Sequence, residues 1–222
     1  MNIKHILFDN DGTVVDSEII AVRTMLRMLN SLGLQIGERE YSKRFPGLRE
    51  REIVAILREE YDVILPADFW PRVRTEHRRL FESELQVIPG MDQLFRSLRT
   101  TKSMVSNGSV QHVELCLRQV NLLDALDGQI FSAEHVERPK PHPDLYEYAM
   151  EKLELKPENV VVVEDSPAGV QAAKGAGLTV VGLLAATHIQ DGHGAILLSQ
   201  GADFIATDTG GLKKIFQRMN VV

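Results

Sequence analysis

Four consecutive valines, Val160 to Val163, run straight into Glu164-Asp165. A β-branched run with no polar alternation suits a strand covered on both faces, and such strands form the centre of parallel sheets. Parallel strands need crossover segments between them, usually helices, and the rest of the chain has the pattern to supply them. Ile3 to Asp9 reads as another short buried strand, apolar except at Lys4 and His5. Beyond Ile88-Pro89-Gly90 the patterns alternate: helix near Met91 to Arg99, strand near Ser103 to Ser106, helix near Val110 to Val120, strand near Gly128 to Phe131, helix near Pro143 to Leu153. After the valines come a helix from Pro167 to Ala176, with Ser166 as its N-cap, and two peripheral strands, Thr179 to Leu184 and Asp203 to Ala206. The alternation predicts an α/β fold on a doubly wound parallel sheet, whose ligand site lies beyond the carboxyl ends of the strands.

Between residues 17 and 86 the pattern changes. From Ser17 to about Leu32, Ile20, Met25, Met28, Leu29 and Leu32 recur at threes and fours before Gly33, and further helical stretches run about Arg49 to Glu60 and Pro66 to Glu84. No strand pattern interrupts them. The expected organisation is a core of residues 1–16 plus 87–222, with an all-helical domain, 17–86, inserted after the first strand.

A chain of 222 residues has room for a core domain carrying a smaller second one. No apolar run nears the roughly 20 residues of a membrane helix, and Met1 to His5 leads into a strand pattern rather than a signal peptide. The expected compartment is the cytoplasm and the expected state a monomer. Cys116 is the sole cysteine, with no disulfide partner and no Cys/His cluster of zinc spacing to recruit it, so helix packing is its expected role. A net charge of −6 and a pI near 5.7 argue against a nucleic-acid partner. The same charge opposes an anionic metabolite, so attraction must come from local positive groups or a bound cation. Eleven of the 16 arginines fall between residues 17 and 86, where salt-bridged helical faces are the expected setting for most of them.

Four segments place reactive side chains after strand-like or turn-like positions. They are Asp9 and Asp11 in Phe8-Asp9-Asn10-Asp11-Gly12-Thr13, Ser106 with Asn107, Lys140 in Arg138-Pro139-Lys140-Pro141, and Glu164 with Asp165. Singly, each reads as turn or cap chemistry. A parallel sheet gathers all four at one edge. Asp9, Glu164 and Asp165 then supply three carboxylates, the donors that hard cations such as Mg2+ prefer. Such a cation lets the anionic Asp9 approach an anionic phosphate, while Ser106, Asn107 and Lys140 hold the remaining phosphoryl oxygens. Asp9 is the expected nucleophile. Asp11 is the expected acid and base, protonating the departing alkoxide and later activating the water that cleaves an aspartyl phosphate.

These motifs resemble those of the haloacid dehalogenase superfamily, whose phosphatases carry D-x-D-G-T, a strand-ending Ser or Thr, a Lys and a final acidic pair. All four are present, and the helical insertion resembles the α-helical cap of the subgroup that includes beta-phosphoglucomutase and many sugar phosphatases. The resemblance implies a Mg2+-dependent phosphatase in which Asp9 is nucleophile and Asp11 is acid/base. It also makes Asp9, Asp11 (through its backbone carbonyl), Asp165 and, directly or through a water, Glu164 the metal set, and Ser106 and Lys140 the phosphate binders.

Haloacid dehalogenases proper lack the second Asp, so Asp11 points to phosphate chemistry. Phosphonate hydrolases of the family use a cap lysine as a Schiff base, and the sole lysine of this insert, Lys43, stands in a strongly charged stretch. Mutases of the family carry a His after the first motif, where this chain has Ile20 and Ala21, and a Lys past the Ser, where it has Gly108-Ser109. Hydrolysis is therefore expected over phosphotransfer. A receiver-like phosphoacceptor module would put its acidic pair at the first strand, and a non-catalytic scaffold would not need Asp9 and Asp11. The segment Arg44-Phe45-Pro46-Gly47-Leu48-Arg49 resembles the family's specificity loop, making Gly47 and Arg49 the expected substrate contacts, with Arg23 and Lys43 behind them. Pairing of Arg49 with Glu50 or Glu52 is the alternative. The wording Val105-Ser106-Asn107-Gly108 most resembles the 6-phosphogluconate phosphatase branch. His188, Asp191 and His193 read as a solvated loop, and Trp70 as a packing residue.

Overall fold

The computed structural model describes residues 2–45 and 48–221. Six strands form one sheet: β1 (His5–Phe8), β2 (Thr101–Ser106), β3 (Ile130–Ser132), β4 (Val160–Glu164), β5 (Thr179–Leu183) and β6 (Phe204–Ala206). Their order is β3-β2-β1-β4-β5-β6 and every neighbouring pair is parallel. β1 and β4 are buried along their whole length, as the valine run requires. In strand geometry alternate residues face opposite ways, and both faces are covered. Leu7, Val160 and Val162 pack among residues of α7 (Asp144–Leu153) and α8 (Pro167–Gly175), including Leu145, Ala149, Val170 and Ala173. On the other face the Phe8 ring meets Phe95 of α5 (Met91–Ser97) at 5.3 Å and Phe216 of α10 (Thr209–Arg218) at 6.3 Å. Each such buried side chain contributes roughly 2 kcal/mol.

The chain leaves β1 to one side for β2 and β3, and to the other for β4 to β6, so the strand order reverses between β1 and β4. A crevice opens at such a switch point, beyond the carboxyl ends of the strands. Phe8 stands opposite both Met104 and Val163. The residues that follow these three are Asp9, Val105 and Glu164.

Two compact units emerge: the sheet with its helices, interrupted between Asp16 and Gln86, and the insert Ser17–Leu85. The insert holds α1 (Glu18–Asn30), α2 (Glu38–Arg44), α3 (Glu50–Tyr61) and α4 (Phe69–Glu84), and no strand among its described residues. Helices α1 and α4 pack along each other, with Arg27 bound to Glu84 at 2.7 Å and Glu76 at 3.5 Å. Arg23 pairs with Glu84, and Arg44 with Glu60 and Glu40, in the ion-paired faces the composition suggested. Trp70 packs edge-on against Phe69.

Three helices were not expected from sequence. α2 buries only Tyr41, so no apolar period marks it. α9 (His193–Ser199) begins in the glycine-containing segment that reads as loop, and α10 follows the last predicted strand, where the sequence reading places no element. In α10 the Asp208 side chain caps the start by accepting the Gly211 N–H at 2.7 Å, so a helix begins despite Gly210-Gly211 in its first turn.

Candidate active site

Asp9 follows the last residue of β1 and is fixed there by its own N–H, which donates to Val163 O at 3.0 Å. Three residues on, Gly12 has φ +81°, and a Cβ there would fall 2.0 Å from Asp165 Oδ2. Only glycine fits both the backbone and the space. The turn brings Thr13 back so that its hydroxyl donates to Asp165 Oδ1 at 3.2 Å.

Lys140, 7% exposed, enters this crevice from the loop before α7. Its ammonium donates to Asp9 Oδ1 at 2.8 Å, Val105 O at 2.7 Å and Glu164 Oε1 at 2.5 Å, so all three N–H bonds have acceptors. Glu164 is fully buried and also accepts from Tyr146 OH at 2.9 Å and Ser166 Oγ at 3.1 Å. Oxygens of Asp9, Glu164 and Asp165 lie within 4.8 Å of one another. Three buried carboxylates thus face one ammonium. Burial first, and the Glu164 charge second, push the Asp9 carboxyl well above its ordinary range. Burial would lower the Lys140 ammonium, but Asp9 and Glu164 hold it well above its ordinary value. The Tyr146 hydroxyl is held well up by burial and by Glu164, so it stays a donor. A surplus of buried oxygen donors over positive charge suits a hard divalent cation, so the residues fit Mg2+.

Ser106 ends β2 with 2% exposure, and its Oγ accepts the Gly108 N–H at 2.9 Å. Asn107, expected at the phosphate, spends its side chain on Lys140. Its Nδ2 donates to Lys140 O at 3.0 Å and its Oδ1 accepts the Lys140 N–H at 3.1 Å. The amide therefore clamps the backbone that carries the lysine.

The structure adds residues that sequence reading passed over. His112, on α6 (Val110–Gln119), places Nε2 3.1 Å from Asp11 Oδ1 and 3.6 Å from Cys116 Sγ. The hydrogen bond with Asp11, with a further contribution from Cys116, raises the imidazole to about 10. His188 and His193 do not form a purely solvated loop: His188 Nε2 stands 3.4 Å from Asp165 Oδ2, and His193 Nε2 donates to Asp165 O at 2.6 Å. That carbonyl has no proton, which fixes the His193 tautomer. Asp191 is exposed. In the insert, Gly47 lies outside the described residues. Arg49 is exposed and its guanidinium has no ion pair among the described residues; Glu52 instead accepts the Arg49 backbone N–H at 2.7 Å, and Glu50 faces Arg74.

Acidic groups and one lysine gathered at the switch point of a doubly wound parallel sheet define a class of α/β enzyme suited to phosphoryl groups. The sequence profile of the haloacid dehalogenase-like hydrolases matches residues 6–183. Over 84% of its length the chain is 34% identical to 6-phosphogluconate phosphatase of Escherichia coli, covering 85% of that protein. It is 32% identical over 78% of its length to a phosphorylated carbohydrates phosphatase of Thermotoga maritima, covering 81% of it. A HAD family hydrolase from Deinococcus radiodurans, crystallised with bound phosphate and sodium, superposes with a TM-score of 0.90 at 30% identity, over 100% of this chain and 98% of that one. The chain belongs to the haloacid dehalogenase-like hydrolases, and it is a phosphatase of that family. None of its described helices is long and apolar enough to cross a membrane.

Proposed function

We propose that this phosphatase is Mg2+-dependent and hydrolyses a small sugar phosphate or sugar-acid phosphate, with 6-phosphogluconate as the first candidate, through an aspartyl phosphate on Asp9. The observation that carries the reading is the excess of buried carboxylates at Asp9, Glu164 and Asp165 over the single Lys140 ammonium. Asp9, Glu164, Asp165 and the Asp11 carbonyl would hold the cation, which when bound neutralises the cluster and draws a phosphoryl oxygen toward it. Lys140 holds one Asp9 oxygen, and the other attacks phosphorus. Ser106, whose Oγ already accepts a hydrogen bond, keeps its own proton to donate to the phosphoryl group beside Lys140. Asn107 serves by holding Lys140 in place. Asp11 protonates the leaving alkoxide and then takes the proton of the hydrolytic water.

The helical insert, residues 17–86, is the cap, where Gly47 and Arg49 select the part of the substrate beyond the phosphate. The two phosphatases named above, which act on phosphogluconate and on phosphorylated carbohydrates, support the sugar-phosphate class. The protein works as a cytoplasmic monomer, with no nucleic-acid partner.

The test is a screen of phosphorylated sugars, sugar acids and nucleotides for Mg2+-dependent phosphate release, with Asp9→Asn as control. No release, or release undiminished in Asp9→Asn, sinks the proposal. Incubation with a sugar 1-phosphate checks the branch point: accumulation of the 6-phosphate isomer would mean phosphotransfer rather than hydrolysis.

A further inference from the structure

The Asp11 side of the crevice carries a second set of donors, different in kind from the carboxylate cluster. His112 and Cys116 are four residues apart on α6 and so share one face of the helix. Asp11 reaches them from the loop after β1, and the three donor atoms lie within 4.8 Å of one another. The two separations from His112 Nε2 lie close to those of metal ligands. With Zn–N and Zn–O near 2.1 Å and Zn–S near 2.3 Å, a tetrahedral site has an N···O edge of about 3.4 Å and an N···S edge of about 3.6 Å. The observed His112 Nε2 distances are 3.1 Å to Asp11 Oδ1 and 3.6 Å to Cys116 Sγ.

The imidazole is also held in place: a Cβ at Gly108 would come within 2.8 Å of His112 Cδ2, so the ring lies directly on that backbone. Cys116 is fully buried and forms the floor, while the side chains of His112 and Asp11 are 35% and 27% exposed and leave the approach from solvent open. A set of one sulfur, one nitrogen and one oxygen suits zinc-like ions and not Mg2+, which takes oxygen donors.

We propose that Asp11, His112 and Cys116 form a binding site for a zinc-like divalent cation, separate from the Asp9, Glu164 and Asp165 cluster, and that its occupation silences the enzyme. Water completes the four-coordinate shell, and binding releases the thiol and imidazole protons to solvent. Silencing follows because a carboxylate committed to a metal cannot protonate a leaving alkoxide. That second half rests on the acid/base role proposed for Asp11; the binding itself does not.

Cobalt(II), a coloured stand-in for zinc, is titrated into the whole protein at saturating Mg2+. The parent gains a thiolate-to-cobalt charge-transfer band, and Cys116→Ser lacks it while retaining Mg2+-dependent turnover. Cys116→Ala is the second variant, with circular dichroism confirming that each remains folded. Zinc inhibits the parent, and both variants need about tenfold more of it or beyond, since even groups that merely support metal ligands are worth 10–100-fold. A cobalt spectrum with no band, or a band that survives loss of Cys116, overturns the site. So does zinc inhibition that is equal in parent and variants and is relieved by Mg2+, because zinc would then be acting at the carboxylate cluster. A thiolate band with undiminished turnover keeps the site and removes the acid/base role from Asp11, so the two readings fail separately.

Discussion

Replacing Lys140 by methionine keeps most of the side-chain volume and removes the one ammonium that the described residues place in the carboxylate cluster. In the parent that ammonium is buried and its three N–H groups are divided among Asp9, Val105 O and Glu164. Removing one partner of a buried ion pair costs about 3–5 kcal/mol, because the other is left charged in a poorly solvated place. A protein whose whole stability is of order 5–15 kcal/mol would lose a large share of it. The loss has a pH signature. Burial and Glu164 already raise the Asp9 carboxyl in the parent, and without Lys140 nothing opposes that rise. A carboxyl whose folded pKa lies above its unfolded value of about 4 binds a proton on folding, so stability falls as pH rises between the two. The deficit of Lys140→Met is therefore larger at pH 8 than at pH 5.

The assay is urea unfolding in metal-free buffer at both pH values, followed by far-ultraviolet circular dichroism, which reads the backbone of the sheet and its helices, whereas the sole tryptophan, Trp70, belongs to the insert. With m near 2 kcal/mol per molar urea, the expected midpoint shift at pH 8 is about 1.5–2.5 M. Mg2+ should recover part of it by neutralising the same carboxylates. A deficit below about 1 kcal/mol, or one equal at pH 5 and pH 8, would refute the picture of carboxylates held against a single buried ammonium.

Two further outcomes are expected. His5, 5% exposed in β1 with Nε2 2.8 Å from Ser103 Oγ, is held down to about 4 from 6.5, by burial first and with Lys102 adding to it. Its folded pKa lies below the unfolded one, so its contribution is complete above pH 6.5 and is lost as pH falls toward 4; that costs about 2 kcal/mol between pH 7 and pH 5. His5→Gln should flatten this part of the stability curve, and an unchanged slope would place the acid sensitivity elsewhere. His188→Ala should weaken Mg2+ binding, measured by calorimetry without substrate, by about 10–100-fold, because the imidazole stands against the Asp165 carboxylate. Unchanged affinity alongside a weakened Asp165→Asn would show that Asp165 needs no such support.

What the sequence disclosed depends on how each residue is placed. Asp9, Ser106 and Glu164 could be read because each ends or directly follows a strand whose burial pattern is local, and a parallel sheet leaves the ends of such strands level. Lys140 is legible as a phosphate binder in a loop between prolines, but what anchors it is not. Its position depends on Asn107, 33 residues away, whose amide reads from sequence as a phosphate ligand and also clamps the lysine backbone. The histidines were least visible. His112 lies 101 residues from Asp11 in a helix with ordinary amphipathic spacing, and His188 and His193 sit in a segment whose glycines suggest solvent-exposed loop. No local pattern marks a side chain whose partner is brought near by the sheet crossovers. Yet the three histidines share a logic with the motifs they touch. Asp11 and Asp165 are the two acidic motif residues without direct support from Lys140, and each has an imidazole against it. In a chain carrying net charge −6, local positive or proton-donating groups are what keep a crowded acidic crevice in one arrangement, and here they come from α6 and from the segment between β5 and α9.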